Sequence, residues 1–81
     1  MLSDYLQAAM DQARYELLDD GRYYGEVDAL PGVWADGATL EECRRTLKEV
    51  IEDWLVLALK ARDPVPVLEG IDLNRVGLPT T

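Results

Sequence analysis

The stretch EVDALPGVWADGATLEEC, residues 26–43, decides how this chain folds. An alternating strand leads into the Leu-Pro-Gly sequence at 30–32, which interrupts a strand because proline and glycine favour a turn. A short apolar stretch, 33–35, predicts another strand, and the Asp-Gly pair at 36–37 predicts the turn that ends it. The sequence TLEE at 39–42 is a capping box, in which the threonine and the second glutamate satisfy free backbone N–H groups. The predicted order is therefore strand, turn, short strand and helix.

The helix that starts at Thr39 is long and amphipathic. Apolar residues recur three and four positions apart as far as Ala58, and Asp63 is expected to end the helix because it precedes a proline. The sequence WLVLAL at 54–59 is apolar on every side of the helix, whereas a surface helix keeps a polar side. We therefore expect these turns to contact another subunit as well as the core, in a homo-oligomer. The residues predicted at this oligomer interface are Leu55, Val56, Leu59, Val65 and Val67.

Upstream of the quoted stretch, ARYELL and RYYGEV alternate with a period of two and predict a β-hairpin. A two-residue loop would mix the polar and apolar faces. A three-residue loop at 19–21 keeps them separate and places Tyr15 opposite Gly25 and Arg14 opposite Glu26, with which it is expected to pair. We therefore favour the longer loop, and Gly25 leaves space for a helix on the inner face.

The remaining segments complete one domain, residues 1–81. Helical spacing predicts an N-terminal helix at about 3–12, and PVPVL at 64–68 permits only an edge strand or an extended arm because of its prolines. The core is expected to span about 13–68, and the tail, about 69–81, is expected to be partly disordered. The predicted fold class is α+β, in the order α-β-β-β-α-β. It consists of an N-terminal helix, a three-stranded antiparallel sheet, a long helix on one face of the sheet and a short final edge strand.

Length and charge limit the classes of partner. A chain of 81 residues buries only about 60 to 65 per cent of its unfolded surface, so we expect oligomerisation to supplement its core. Sixteen acidic residues against eight basic ones give a net charge of −8. Because binding to phosphates needs a basic surface, we expect no direct contact with nucleic acid. A basic protein is the partner that this charge favours.

The residue types argue against an enzyme. The chain has no histidine, which excludes a histidine general base and histidine metal ligands. Its single cysteine, Cys43, lies on the apolar face of the long helix, where a role in the core is favoured over catalysis. The carboxylates Glu26, Asp28 and Asp36 have no calcium-loop spacing, and a solvated face is favoured over a metal site. We expect no catalytic residues, no cofactor and no metal.

The location predicted from the sequence is the cytoplasm. One unpaired thiol is typical of a reducing compartment. The N-terminal residues are too polar for a signal peptide, and no apolar run is long enough to cross a membrane.

One face of the predicted sheet combines aromatic and charged side chains, as protein-recognition surfaces do. Either this face binds a partner or the N-terminal helix covers it, and the sequence leaves both open. The candidate partner-binding residues are Arg14, Glu16, Tyr24, Glu26, Trp34 and Asp36.

The stretch GRYYGEVDALPGVWADGATLEECRRTLKEVIEDWLVLAL, followed by DPVPV, resembles the HicB-type antitoxin domain over residues 21–67. The resemblance lies in the order of an aromatic-rich strand, Leu-Pro-Gly, a short strand ending in Gly-x-Thr, an acidic-led helix and a proline-containing segment. It implies a partial ribonuclease-H-like fold without the catalytic carboxylates, and assembly as a dimer or tetramer. It also implies a non-enzymatic antitoxin or regulatory binding module that masks a small basic HicA-type RNA endonuclease.

This sequence differs from longer HicB-type proteins in its C-terminal part. Those proteins carry a DNA-binding domain after the last strand, whereas too few residues follow Val67 here to form one. The resemblance is therefore to the short, stand-alone form, and operator binding is not expected. The alternative function is an oligomeric scaffold or interaction module that has an unknown partner and no toxin. A carboxylate-metal hydrolase is the least favoured class.

Overall fold

The computed structural model describes residues 2–68 and 70 of the chain. Within these residues the elements are α1 (Leu2–Asp11), β1 (Arg14–Leu17), β2 (Tyr23–Glu26), β3 (Trp34–Gly37) and α2 (Leu40–Ala61). The strands form one antiparallel sheet in the order β1-β2-β3. The predicted α+β architecture is confirmed. The predicted tail lies outside the described residues except for Gly70.

The hairpin has the register that the sequence predicts. Arg14 lies opposite Glu26, and Tyr15 lies opposite Gly25. The loop is closed by the Leu18 N–H, which donates to the carbonyl of Arg22 at 2.7 Å. Gly21 has a φ of 87°, the left-handed conformation that the three-residue loop requires.

The third strand is longer than predicted. Asp36 and Gly37 lie within β3, opposite Tyr24 and Tyr23, so the turn predicted at these two residues is wrong. Pairing with β2 extends the strand past the Asp-Gly sequence because cross-strand hydrogen bonds outweigh a local turn preference. The chain bends instead at 38–39, immediately before α2.

The inner face of the sheet carries α2. The helix begins after Thr39, whose Oγ1 accepts a hydrogen bond from the Glu42 N–H at 3.0 Å, as the capping box predicts. Its buried residues are Cys43, Leu47, Ile51, Leu55 and Ala58. Each large aliphatic side chain buried in this way stabilises the fold by about 1.5–3 kcal/mol.

The C-terminal end of α2 lies at Ala61, two residues before Asp63, the residue predicted to end the helix. Arg62 follows in the left-handed conformation, with a φ of 58°. The Asp63 N–H donates to the carbonyl of Ala58 at 2.9 Å, which is the hydrogen bond of a Schellman motif. The helix is therefore ended by a left-handed residue, and Pro64 prevents its continuation.

The segment after α2 packs back onto α1. Tyr5 is completely buried, and its hydroxyl donates to the carbonyl of Pro66. Residues 63–67 have no regular secondary structure, and Leu68 is a single bridge residue, so the predicted final edge strand is reduced to one position. The two prolines explain this outcome because neither has an N–H group to donate to a neighbouring strand.

Candidate functional site

The outer face of the sheet brings together every residue predicted to bind a partner. Register places these side chains in two rows across the three strands. Because side chains alternate along a strand, both rows lie on the face opposite α2. We call this surface the outer face. One row is Arg14, Glu26 and Trp34, and the other is Glu16, Tyr24 and Asp36.

The N-terminal helix does not cover the outer face. Three residues of α1 are buried in the same core cluster as the side of α2 that faces the sheet. They are Tyr5, Ala8 and Ala9. A groove between the two helices is lined by Leu6 of α1 and Leu55 of α2, so α1 lies beside α2. This placement shows that α1 leaves the outer face uncovered, and binding of a partner by this face stays a prediction. In the part of the chain that the structure describes, the Trp34 side chain on the outer face remains 53% exposed.

An aromatic pair forms the centre of the outer face. The rings of Tyr24 and Trp34 stack with their centroids 5.9 Å apart and their planes at 23°. The Tyr24 hydroxyl donates to a carboxylate oxygen of Glu26 at 3.0 Å. This hydrogen bond, together with partial burial and the nearby carboxylates, raises the pKa of Tyr24 above its usual value. Both rings are thus held in place by contacts within the chain.

Ion pairs at the edges of the outer face differ from the predicted pairing. The Arg14 guanidinium donates to Asp28 at 2.9 Å. The partner of Arg14 is therefore Asp28 and not Glu26, the residue predicted to pair with it. The hydrogen bond and the charge of Asp28, with a smaller contribution from Glu26, raise the pKa of Arg14. Arg22 contacts Asp36 at 3.5 Å. Asp28 follows Glu26 with the same alternation, which is the sequence signal that could have identified it.

A groove adjoins the aromatic pair on the side of the Leu-Pro-Gly turn. Its volume is about 230 Å³, and Leu30 and Val33 in its lining are buried in the core. Asp28 and Pro31 also line it, and both are exposed. The predicted partner-binding set includes neither residue, and the position of Pro31 could not be obtained from the sequence because it depends on the path of the turn.

The thiol of Cys43 lies on the inner side of the sheet. Its side chain is completely buried, and Sγ lies 3.6 Å from the carbonyl oxygen of Ala35, to which it donates. Burial raises the pKa of the Cys43 thiol, and the charge of Asp36 adds to the effect. The thiolate is therefore disfavoured, as expected for a cysteine of the core.

Neither a metal-binding cluster nor a membrane-spanning helix is found among the described residues. No group of three or more acidic or cysteine side chains is arranged there to hold a metal ion. No helix in residues 2–68 is both long and apolar enough to cross a lipid bilayer.

The residues predicted at an oligomer interface divide into two groups. Leu55 and Val65 are only 1% and 2% exposed, so their side chains belong to the core of the chain itself and do not face outward. Leu57 is 67% exposed but is absent from the predicted set, because a pattern that is apolar all round does not show which side meets the sheet. The other predicted positions are exposed or half-buried: Val56, Leu59 and Val67.

Comparison with known proteins identifies a matching family, a related sequence and a similar crystal structure. Residues 4–66 match the family described as UPF0150-like. A UPF0150 protein of Thermotoga maritima is 42% identical over 59 residues, which cover 73% of this chain and 75% of the relative. The crystal structure of TTHA0281 from Thermus thermophilus is similar, with a TM-score of 0.83 and 46% identity over 88% of this chain and 89% of that one. The chain belongs to the UPF0150-like family.

Proposed function

We propose that this chain is a HicB-like antitoxin or regulatory binding module that masks a small basic HicA-type RNA endonuclease by protein–protein contact. Membership of the UPF0150-like family, which is of the HicB-like, antitoxin type, supports this function. The main observation in support is that the stacked Tyr24–Trp34 pair lies among carboxylates on the outer face. The helix α1 packs beside α2 and leaves this face uncovered.

The mechanism is steric and electrostatic. An endonuclease that binds RNA must present cationic groups to the phosphates. The outer face carries three carboxylates that these cationic groups can bind in place of phosphates. They belong to Glu16, Glu26 and Asp36. The net charge of −8 accelerates the encounter with a basic protein, and bound antitoxin then excludes RNA from the nuclease.

The aromatic pair supplies contact area at low entropic cost. Tryptophan and tyrosine are among the residues most enriched among strong contacts in protein interfaces. Trp34 is already stacked on Tyr24, and the Tyr24 hydroxyl is already bonded to Glu26. Because these side chains lose little freedom on binding, more of the contact energy contributes to affinity.

Co-expression with the product of the adjacent gene tests the function. If that product is a small basic HicA-type protein, we expect the chain to co-purify with it and to restore the growth of cells that express it. Glu16→Lys reverses a charge on the outer face and is expected to weaken both effects. Glu49→Lys makes the same change on the exposed side of α2 and serves as the matched control. A HicA-type neighbour that is neither bound nor neutralised would show the antitoxin function to be wrong.

The alternative function is an oligomeric scaffold that binds another protein and has no toxin. Exposed apolar side chains on α2, Val56 and Leu57, favour self-association. A scaffold would assemble through α2 and leave the toxicity of the neighbouring product unchanged. The growth assay therefore separates the two functions.

A further inference from the structure

We propose that the groove beside the Tyr24–Trp34 pair receives an arginine side chain of the partner, whose guanidinium stacks on Trp34 and bonds to Glu26 and Asp28. The proposal rests on the proposed function for the kind of partner, a basic protein. It adds the position at which that partner is recognised and the residue type that it must present.

The shape of the groove suits one long side chain. With a volume of about 230 Å³, it is much larger than the space that a single water occupies. Its exposed residue Pro31 can contact the methylene stem of an arginine, which packs on apolar surface while its charged end stays near water. The lining residues used here are Tyr24, Glu26, Asp28, Pro31 and Trp34.

The chemistry of the groove favours a guanidinium. The charged residues in its lining, Glu26 and Asp28, are both carboxylates. A carboxylate has two oxygens and room for about four hydrogen bonds, so Glu26 can accept from a ligand as well as from Tyr24. Arginine matches carboxylates in a two-pronged geometry and also stacks on aromatic rings, which lysine does less well. The exposed ring surface of Trp34 is available for such stacking.

An arginine of this chain already binds one of the two carboxylates. The Arg14 guanidinium lies 2.9 Å from Asp28, and the two side chains are 72% and 62% exposed. An ion pair this exposed is weak, so a second arginine can replace it at small cost. Arg14 therefore competes with the incoming arginine, and its removal should strengthen binding.

Nuclear magnetic resonance tests the groove with a defined probe, the blocked tripeptide acetyl-Gly-Arg-Gly-amide, on the ¹⁵N-labelled full chain. The chain has two tryptophans, Trp34 in the groove and Trp54 on α2. We expect the indole N–H signal of Trp34 and the amide signal of Gly32 to shift, while the Trp54 indole stays still. The same peptide with citrulline, which has arginine's shape without its charge, should bind several-fold more weakly. The same peptide with lysine in place of arginine should also bind more weakly than the arginine peptide.

Two variants measure the contributions of the groove. Arg14→Gln is expected to tighten binding of the arginine peptide a few-fold, because Asp28 is released. Trp34→Leu is expected to abolish saturable binding, followed through the Gly32 amide because the Trp34 indole is lost. Both variants change exposed side chains, and unfolding curves on each will verify that the fold is kept.

Several results would overturn the proposal. These are an unmoved Trp34 indole at millimolar peptide, equal binding of arginine and citrulline, or weaker binding by Arg14→Gln. If the neighbouring toxin is captured but the arginine peptide does not bind, the groove is wrong and the antitoxin function stands. If the peptide binds but no toxin is captured, the groove stands and the antitoxin function is wrong.

Discussion

Gly37 at the end of β3 lies directly beneath the first turns of α2. A Cβ atom at this position would come 2.6 Å from the backbone nitrogen of Cys43 and 3.0 Å from its Cα. Because these are backbone atoms of a helix, they cannot move aside without shifting α2 from the sheet. We expect Gly37→Ala to lower the free energy of unfolding by about 1–3 kcal/mol, the usual cost of overpacking a core. Urea denaturation measures this change.

Gly25 on the neighbouring strand is the control for adding the same methyl group. A Cβ there would meet the ring of Tyr15 at 2.9 Å and the Cys43 Sγ at 3.2 Å, which are side-chain atoms. Side chains can adjust, so Gly25→Ala is expected to cost less than Gly37→Ala. A Gly37→Ala variant as stable as the original chain would show that α2 does not approach the sheet this closely.

The register of the sheet could be predicted because one simple rule determines it. A two-residue loop would put Tyr15 and Gly25 on opposite faces, whereas a three-residue loop keeps both on the inner face, and the structure has the three-residue loop. The composition of the outer face follows from the same alternation, so Tyr24 and Trp34 could be assigned to one surface. Their stacking could not, because it depends on the side-chain conformations and the offset of β3.

The features that sequence reasoning missed depend on three-dimensional placement. The strand period does not show whether Arg14 bonds to Glu26 or to Asp28, because both lie on the same side and are within reach. Likewise, the apolar run on α2 does not show which side meets the sheet. The packing of α1 and α2 decides that Leu55 is buried and Leu57 exposed.

Trp34→Ala is expected to separate binding from stability. The side chain is 53% exposed, so its removal should cost about 0.5–1.5 kcal/mol of folding free energy, mainly from the stack with Tyr24. Capture of a basic partner should fall much more. Trp54→Ala provides the comparison, because Trp54 packs partly against the core and should lose stability more than binding. Unfolding curves and pull-down experiments on both variants test this assignment. It would be contradicted if Trp34→Ala lost more stability than binding and Trp54→Ala lost more binding than stability.

Val56→Asp is expected to weaken self-association through α2. Val56 and its neighbour Leu57 expose apolar surface on the helix, 42% and 67% respectively. A buried charge at such a contact costs more than the contact contributes. Light scattering should give a mass above 9.1 kDa for the original chain and 9.1 kDa for the variant. Leu17→Asp makes a similar change on the hairpin, where the side chain is 61% exposed, and should leave the assembly intact. A 9.1 kDa particle for the original chain at micromolar concentration would contradict the oligomer prediction.

Arg62→Gly is expected to stabilise the chain. Arg62 has a φ of 58°, a conformation that glycine adopts at much lower cost than other residues. The variant should gain about 0.5–1 kcal/mol in the free energy of unfolding, after the greater freedom of glycine in the unfolded chain is subtracted. Arg62→Ala removes the same charge and keeps a Cβ, so it should show no such gain. Equal stability of the two variants would mean that the left-handed conformation carries no strain at this position.

Tyr5→Phe is expected to reveal both the hydrogen bond to Pro66 and its dependence on pH. Removing the hydroxyl should cost about 1 kcal/mol at pH 8, because the bond holds α1 against the segment that follows α2. Burial raises the pKa of Tyr5 to about 12, whereas a tyrosine in the unfolded chain has a pKa of about 10. The neutral phenol is therefore favoured by the folded state, so its contribution to stability is complete below pH 10 and is lost as the pH rises from about 10 to 12. Urea denaturation across this range should show the advantage of the original chain over the variant shrinking with pH, while the other tyrosines, common to both proteins, cancel. An advantage that stays constant up to pH 12 would show that the Tyr5 hydroxyl is not held in its neutral form by the fold.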